Sequence, residues 1–203
     1  MYGPSSDLEA TLGPESGRIA FGPGSFKQAN YAGFMDIVRG VASVVERKGP
    51  RGVAEMYAGA GCIGFNVLSL SMGVEKVTMS DVVGANARSF RETLGSMPEG
   101  ERGRAEYVVG RAEDVVDSCA GKEMVIVDPP RKGLDKGLVA ALKNKRDPAF
   151  EMCKTLVYVS CGFKGTAGDI EELVKGGWRV ESAEGWCLFV GADHVESLIV
   201  LVR

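Results

Sequence analysis

Hydrophobic positions along the chain change period several times, and each change predicts an element. Apolar residues between 28 and 48 recur at helical spacing, which predicts an amphipathic helix that ends at Gly49 and Pro50. Short apolar runs predict strands at 52–57, 75–80, 105–109, 123–128, 155–160, 178–184 and 195–202. Further helices are predicted at 62–72, 83–95, 112–119, 134–144 and 165–175.

The alternation of strands and helices predicts an α/β fold, a mostly parallel sheet with helices on both faces. Only about ten residues separate the last two predicted strands, 178–184 and 195–202. Because this is too short for a crossover helix, the pair is predicted to be a C-terminal antiparallel hairpin. A Rossmann-like sheet that ends in this way resembles the class I methyltransferase fold, whereas an ordinary dinucleotide-binding sheet would be all parallel.

Composition sets the broad class. The 203 residues suffice for one domain, and 45% hydrophobic with 25% charged residues is ordinary for a globular protein. A net charge of -3 argues against a protein that wraps nucleic acid by bulk charge. No apolar run is long enough for a membrane span. Residues 1–24, rich in Gly, Pro and Ser, are predicted to be a flexible arm or a cut edge, and 25–203 the folded domain.

Five cysteines are scattered along the chain without a Cys-x-x-Cys pair. This odd set predicts an intracellular, reducing compartment, cytoplasmic or organellar, and no metal site.

A glycine-rich turn follows the strand at 52–57 and leads into a helix, which is the context of a ligand-binding loop. Gly59 and Gly61 allow the backbone to approach a ligand closely. Glu55 suits the amino group of methionine better than a pyrophosphate, and Asp81, at the end of the next strand, can accept both ribose hydroxyls. The loop alone leaves NAD, S-adenosylmethionine and an unliganded tight turn open.

Two later strands end in residues that could bind a substrate or react with it. Asp128 precedes two prolines, which form a rigid corner where a carboxylate can bind the edge of a planar base or amide; a simple strand terminator is the alternative. Cys161 follows the next strand, and parallel strands end at the edge where ligands bind, so it is a candidate nucleophile. The other four cysteines are expected to be structural: Cys62, Cys119, Cys153 and Cys187.

The final strand is antiparallel and therefore begins at this same edge. Its first residues bring His194 and Glu196 towards Cys161. His194 could serve as a base for Cys161, but a cysteine hydrolase needs no glycine-rich cofactor loop. Glu196 is unusual in a strand of Val, Leu and Ile, and a solvent-facing position is its alternative interpretation.

Five motifs in order resemble the RNA uracil-5-methyltransferase family over residues 21–203. They are FKQAN (26–30), YAGAGCIG (57–64), DPPR (128–131), YVSC (158–161) and HVE (194–196). The resemblance implies that S-adenosylmethionine is held by Gln28, the loop around Tyr57 and Asp81. It also implies that Asp128 faces the uracil or the methyl donor, that Cys161 is the nucleophile and that Glu196 is the base.

The implied reaction explains this set of residues. A Cys161 thiolate attacks C6 of uracil, which makes C5 nucleophilic towards the methyl group. Glu196 then removes the C5 proton and elimination releases Cys161. Because the base must leave a stack or loop to be reached, the substrate is expected to be an unpaired or flipped uridine in tRNA or rRNA.

The chain departs from the family pattern at three positions. Gly162 stands where Asn is common, Ala58 where Cys is common, and Asp81 where Glu is common. Members often carry an N-terminal RNA-binding barrel, for which the residues before Phe21 are too few, so we expect a fragment or another mode of RNA binding. A phosphate-contacting patch near the active edge, or alternatively a solvated face, is predicted at Arg131, Lys132, Lys143, Lys145 and Arg146.

Three other functions stay open at this point. A methyltransferase acting on a base or glutamine nitrogen would not need Cys161. A non-catalytic module would retain the cofactor pocket and contact RNA without turnover, and a nicotinamide-binding protein would bind NAD more tightly than S-adenosylmethionine.

Overall fold

The computed structural model describes residues 10–11, 18–189, 191 and 195–203. Its strands are β1 (Ala10–Thr11), β2 (Arg18–Ile19), β3 (Gly52–Met56), β4 (Lys76–Asp81), β5 (Ala105–Val109), β6 (Met124–Val127), β7 (Thr155–Ser160), β8 (Arg179–Trp186) and β9 (Glu196–Val202). Its helices are α1 (Tyr31–Lys48), α2 (Cys62–Leu70), α3 (Asn86–Ser96), α4 (Glu99–Arg102), α5 (Lys136–Lys143) and α6 (Phe163–Lys175).

The main sheet has the strand order β5-β4-β3-β6-β7-β9-β8. The five strands from β5 to β7 are parallel, and β9 is antiparallel to both β7 and β8. The predicted fold class, including the C-terminal antiparallel hairpin, is confirmed. Ser160 pairs with Ser197, so β9 begins where β7 ends. This register brings the start of the last strand to the edge where the parallel strands end.

Two apolar clusters cover the faces of this sheet. One contains α1, α2 and the Phe90 side chain of α3, and the other contains residues of α5 and α6. Consecutive strand residues enter opposite clusters, as Val53 and Ala54 do in β3. Trp178 is fully buried in the second cluster, where its indole N–H donates to the carbonyl of Leu142. Helices on both faces leave the edges of the sheet as the places for a site.

Local chemistry shifts several predicted boundaries. Helix α1 begins at Tyr31 instead of residue 28, because the Asn30 side chain caps it by accepting from the Gly33 N–H. The predicted helix at 112–119 is two short 3-10 turns, Ala112–Asp114 and Val116–Cys119. The short helix α4 was not predicted, since its polar sequence has no apolar periodicity.

Packing against the domain begins earlier than the predicted boundary at residue 25. Ile19 is fully buried and Phe21 nearly so. The backbone N–H of Ala20 donates to the Thr93 hydroxyl of α3 at 2.9 Å, which ties this segment to the first face. The flexible-arm prediction is therefore wrong for residues 18–24, while 1–9 and 12–17 lie outside the described residues. No helix in the described ranges is long and apolar enough to cross a membrane.

Candidate active site

A cavity of about 880 Å³ opens at the edge where the parallel strands end. The predicted site residues that line it are Gln28, Glu55, Tyr57, Gly59, Asp81, Asp128, Arg131, Lys132, Cys161 and Glu196. Gly61 does not line the cavity. It caps the N-terminus of α2 with a φ of 85°, and a Cβ there would lie 2.6 Å from the Met79 sulfur. The lack of a side chain at Gly61 therefore lets the loop pack closely against Met79. The structure thus brings the predicted catalytic residues, and all the predicted cofactor-binding residues except Gly61, to one place.

The turn after β3 has an uncommon backbone. Tyr57 has a φ of 60°, a left-handed conformation that costs energy for a residue with a side chain. Its hydroxyl accepts from the Asp135 N–H at 3.0 Å and donates to the Asp135 carboxylate at 3.2 Å. The ring therefore anchors the start of α5, while the turn passes along the cavity.

Both predicted acidic residues of the loop already brace its backbone. Glu55 is only 1% exposed, and its carboxylate accepts from the Gly64 N–H at 2.8 Å beneath α2. Burial raises the pKa of Glu55 well above its usual value. Asp81 accepts from the Gly59 and Val83 N–H groups at 2.9 and 2.8 Å. These bonds hold the loop in its shape before any ligand is bound.

Three reactive side chains meet on the other wall of the cavity. Asp128 follows β6, Cys161 follows β7, and Glu196 is the first residue of β9. The antiparallel register places Cys161 and Glu196 at adjoining positions of neighbouring strands. Glu196 is 8% exposed, so the solvent-facing alternative is wrong. His194 lies outside the described residues.

The electrostatics of this wall raise the pKa values of Asp128 and Cys161. Burial, and then the Glu196 carboxylate, raises the pKa of Asp128 to about 7. The pKa of Cys161 is raised by burial and by the carboxylates of Glu196 and Asp128, and the Arg131 guanidinium opposes this shift. Because the thiolate is the nucleophilic form, Arg131 is the described group that favours reactivity at Cys161.

Glycines at the N-terminal end of α6 allow the segment that carries Arg131 to pack closely. A Cβ on Gly162 would lie 2.6 Å from the Arg131 carbonyl oxygen, and one on Gly165 would lie 2.7 Å from the same atom. Asp169 fixes the segment further by accepting from the Leu134 N–H at 2.7 Å. Gly162, the departure from the family pattern, therefore allows a backbone contact that any side chain would block.

Comparison with known proteins gives two informative sequence relatives; no family model matches. An uncharacterized RNA methyltransferase of Protochlamydia amoebophila is 30% identical over 92% of this chain and 46% of that protein. The tRNA (uracil(54)-C(5))-methyltransferase of Saccharomyces cerevisiae is 31% identical over 74% of this chain and 23% of its own length. The chain is a relative of the RNA uracil-5-methyltransferases. The resemblance predicted from the motifs is confirmed, and the chain spans less than half the length of these two relatives.

Solved structures agree on the fold of this uracil-5-methyltransferase relative. The methyltransferase domain of bacterial CtHen1-C matches with a TM-score of 0.67 at 14% identity, over 84% of this chain and 98% of that one. The glycopeptide N-methyltransferase MtfA, solved with S-adenosyl-L-methionine, matches with a TM-score of 0.59 at 16% identity, over 83% and 86% of the two chains. The fold is that of the class I methyltransferases.

The predicted basic patch divides into two parts. Arg131 and Lys132 are exposed at the cavity as predicted. The other three residues, Lys143, Lys145 and Arg146, do not belong to this edge. Helix α5 carries the chain across the sheet, so Lys143 pairs with Glu172 near the end of α6 and lies where β7 begins. The prediction of one patch near the active edge is wrong for these three residues.

Sequence reasoning missed the apolar part of the cavity wall. This part includes Phe21, Phe26, Tyr31, Val82, Val83 and Phe189. Val82 and Val83 directly follow Asp81, and two valines immediately after a strand-end acid were the available signal in the sequence. The aromatic residues had no such signal, because their patterns are typical of core positions.

Proposed function

We propose that this protein transfers a methyl group from S-adenosylmethionine to C5 of a uridine in tRNA or rRNA, through a covalent Cys161 adduct. The observation that carries the proposal is the convergence of Cys161, Asp128 and Glu196 on a cavity that the glycine-rich loop also lines. This chemistry needs a nucleophile, a base and a group that orients the pyrimidine. Cys161, Glu196 and Asp128 could supply these three roles.

The residues of the loop wall fit the methyl donor. Gly59 has a φ of 55°, and a Cβ there would meet no other atom within 4 Å, so the turn leaves room for a close ligand. Asp81 can accept from ribose hydroxyls, while Val82 and Val83 offer an apolar surface for a purine. S-adenosylmethionine would supply an electrophilic methyl group on a sulfonium.

Proton and electron movements assign a role to each side chain. The Cys161 thiolate forms a bond to C6, and the C5–C6 π electrons move into the ring as an enolate. C5 forms its bond to the methyl carbon as the sulfonium–methyl bond breaks. The Glu196 carboxylate then takes the C5 proton, and the C6–sulfur bond breaks to restore the double bond and the thiolate.

Asp128 orients the pyrimidine in this proposal. Its pKa of about 7 means that protonated and ionised forms coexist at neutral pH. The protonated form can donate to a uracil carbonyl, and the ionised form can accept from the N3–H. Asp128 thereby recognises the edge of the base while Cys161 attacks its face.

The RNA partner follows from chemistry and local charge. Because the net charge is -3, bulk positive charge does not attract RNA to this protein. Contacts with phosphate are therefore assigned to Arg131 and Lys132, which line the cavity and are exposed. The substrate is an unpaired or flipped uridine, because C6 is inaccessible in a stacked helix. An intracellular location, cytoplasmic or organellar, is part of this proposal.

Trapping with 5-fluorouridine tests the mechanism. The protein is incubated with S-adenosylmethionine and with fluorouridine-substituted tRNA and rRNA transcripts, and denaturing gels are used to detect a complex. We expect a complex that forms with the wild type and not with Cys161→Ala, while Cys187→Ser, a change at an exposed thiol, still forms it. Methyl transfer that survives in Cys161→Ala would instead indicate a nitrogen acceptor.

A further inference from the structure

We propose that a second nucleotide subsite lies beside Cys161, where Phe163 stacks on the base next to the target uridine and Lys164 and Arg131 contact its phosphate. The inference rests on the proposed function insofar as it takes RNA as the ligand. It adds a site for a flanking nucleotide that the reaction at C5 does not itself require.

A separate groove of about 370 Å³ defines this subsite. Its lining residues are Arg131, Cys161, Gly162, Phe163, Lys164, Val195 and Ser197. Arg131 and Cys161 line the larger cavity as well. Since Cys161 stands between the two spaces, a strand that places one base in the large cavity has its neighbour at the groove. The volume is at the lower end of the range that holds a small ligand.

Phe163 is the aromatic side chain with the greatest exposure among the described residues, at 86%. It is the first residue of α6 and belongs to neither apolar cluster. An exposed ring next to a candidate nucleophile presents a π-face on which any base can stack. The folded domain itself gives no packing reason for an aromatic residue here.

Charge at the groove suits a phosphate backbone. Lys164 is exposed and forms no ion pair with another described residue, and Arg131 is exposed on the facing segment. A stacking ring flanked by two cations is the combination by which proteins bind single-stranded nucleic acid. If another protein domain packed on this groove instead of RNA, it would have to supply carboxylates for Lys164 and Arg131 or leave both cations without partners.

The glycine contact keeps the groove open. Because Gly162 has no side chain, the Arg131 backbone rests against the start of α6, and a Cβ there would meet the Arg131 Cα at 2.7 Å. Arg131 is held within reach of both Cys161 and the flanking phosphate.

The test uses the protein with S-adenosylhomocysteine and single-stranded RNA heptamers that carry a central uridine. 2-Aminopurine is placed on its 5′ or 3′ side, and affinity is followed by anisotropy of an end label. We expect quenching for one of the two placements. Phe163→Leu should abolish the quenching and weaken binding by about tenfold, whereas Phe163→Trp should keep both.

Matched variants separate this site from general effects. Met72→Ala removes an even more exposed apolar side chain, in the turn before β4 at the opposite edge, and should change nothing. Lys164→Gln should reduce the slope of log affinity against log salt by about 0.7, and Lys154→Gln at the start of β7 should not.

The inference is overturned if the heptamers fail to bind, if neither placement is quenched, or if Phe163→Leu binds like the wild type. A change in self-association of Phe163→Leu without a change in RNA binding would mean that protein covers the ring, and would overturn it too. The readout here is RNA binding and not methyl transfer. A negative result in the trapping experiment would therefore not decide whether this subsite binds RNA.

Discussion

The two walls of the cavity use their polar groups in opposite ways. On the loop wall, the carboxylates of Glu55 and Asp81 already accept backbone hydrogen bonds from Gly64 and Gly59. On the reactive wall, Asp128 accepts no side-chain hydrogen bond from another described residue, and its pKa is raised to about 7. One wall is preformed for binding, whereas on the other the Asp128 carboxyl is available to a substrate.

This difference indicates which wall stabilises the folded state and which wall destabilises it. Hydrogen bonds to carboxylates stabilise the loop and offset the backbone strain at Tyr57. Burial of the Asp128 carboxyl without a side-chain hydrogen bond from a described residue destabilises the fold, and groups with raised pKa values cluster at functional sites. Changes on the reactive wall should therefore alter chemistry more than folding, and changes on the loop wall should do the reverse.

The sharpest test on the reactive wall is Glu196→Gln. Removing the proposed base should lower methyl transfer by about a thousandfold, because C5 deprotonation loses its acceptor. The covalent adduct should still form and should accumulate on ordinary uridine-containing RNA. Turnover assays and denaturing gels measure the two effects.

Glu184→Gln, at an exposed position of β8, is the matched control and should turn over normally. Normal turnover of Glu196→Gln would mean that another group takes the proton, and the reactive wall would lose one of its three members.

On the loop wall, Gly64→Ala should have its main effect on folding. A Cβ there would collide with the Glu55 carboxylate and lie 2.7 Å from the Met79 methyl carbon. Overpacking of this kind costs about 1–3 kcal/mol of unfolding free energy, and the loop should bind S-adenosylmethionine less tightly. Urea denaturation and calorimetric titration measure the two effects.

Gly168→Ala serves as the control, since it lies in α6 and a Cβ there meets nothing within 4 Å. It should be neutral or slightly stabilising. Equal stability of Gly64→Ala and Gly168→Ala would contradict the picture of a rigid, preformed loop.

The sequence predicted the reactive wall better than it predicted the surroundings. Asp128, Cys161 and Glu196 could be placed because strand direction alone determines which edge each one reaches. Lys143 was misplaced because a helix of eight residues advances about 12 Å and carries its end to the other edge. The groove at Phe163 could not be predicted at all, since exposure of an aromatic ring depends on which elements pack beside it.

A pH series on Asp128→Asn tests whether the reactive wall costs stability. The folded-state pKa of Asp128 is about 7, above the value near 4 expected in an unfolded chain. A raised pKa means that the folded state holds its proton more tightly, so wild-type stability falls as pH rises from about 4 to about 7. Asn has no proton to lose.

The stability of Asp128→Asn relative to the wild type should therefore grow with pH over this window, by at most about 1.4 kcal/mol for each pH unit. Urea midpoints at pH 4.5 and pH 8 measure it, with Asp114→Asn at an exposed position as the reference. A pH-independent difference would show that Asp128 is solvated, and the contrast between the walls would weaken.

The smallest expected effect concerns the thiol itself. In a Cys187→Ser background, which removes the exposed thiol, the alkylation rate of Cys161 reports its thiolate fraction. Arg131→Gln removes the group that opposes the upward pKa shift, so the rate at pH 8 should fall by about two- to fivefold and its pH midpoint should rise. Lys132→Gln, whose charge pairs with Asp135 at 3.0 Å, is the neighbouring control. An unchanged rate in Arg131→Gln would mean that the thiolate is formed only when the substrate arrives, so that the reactive wall is completed by RNA and is not prepared by the protein.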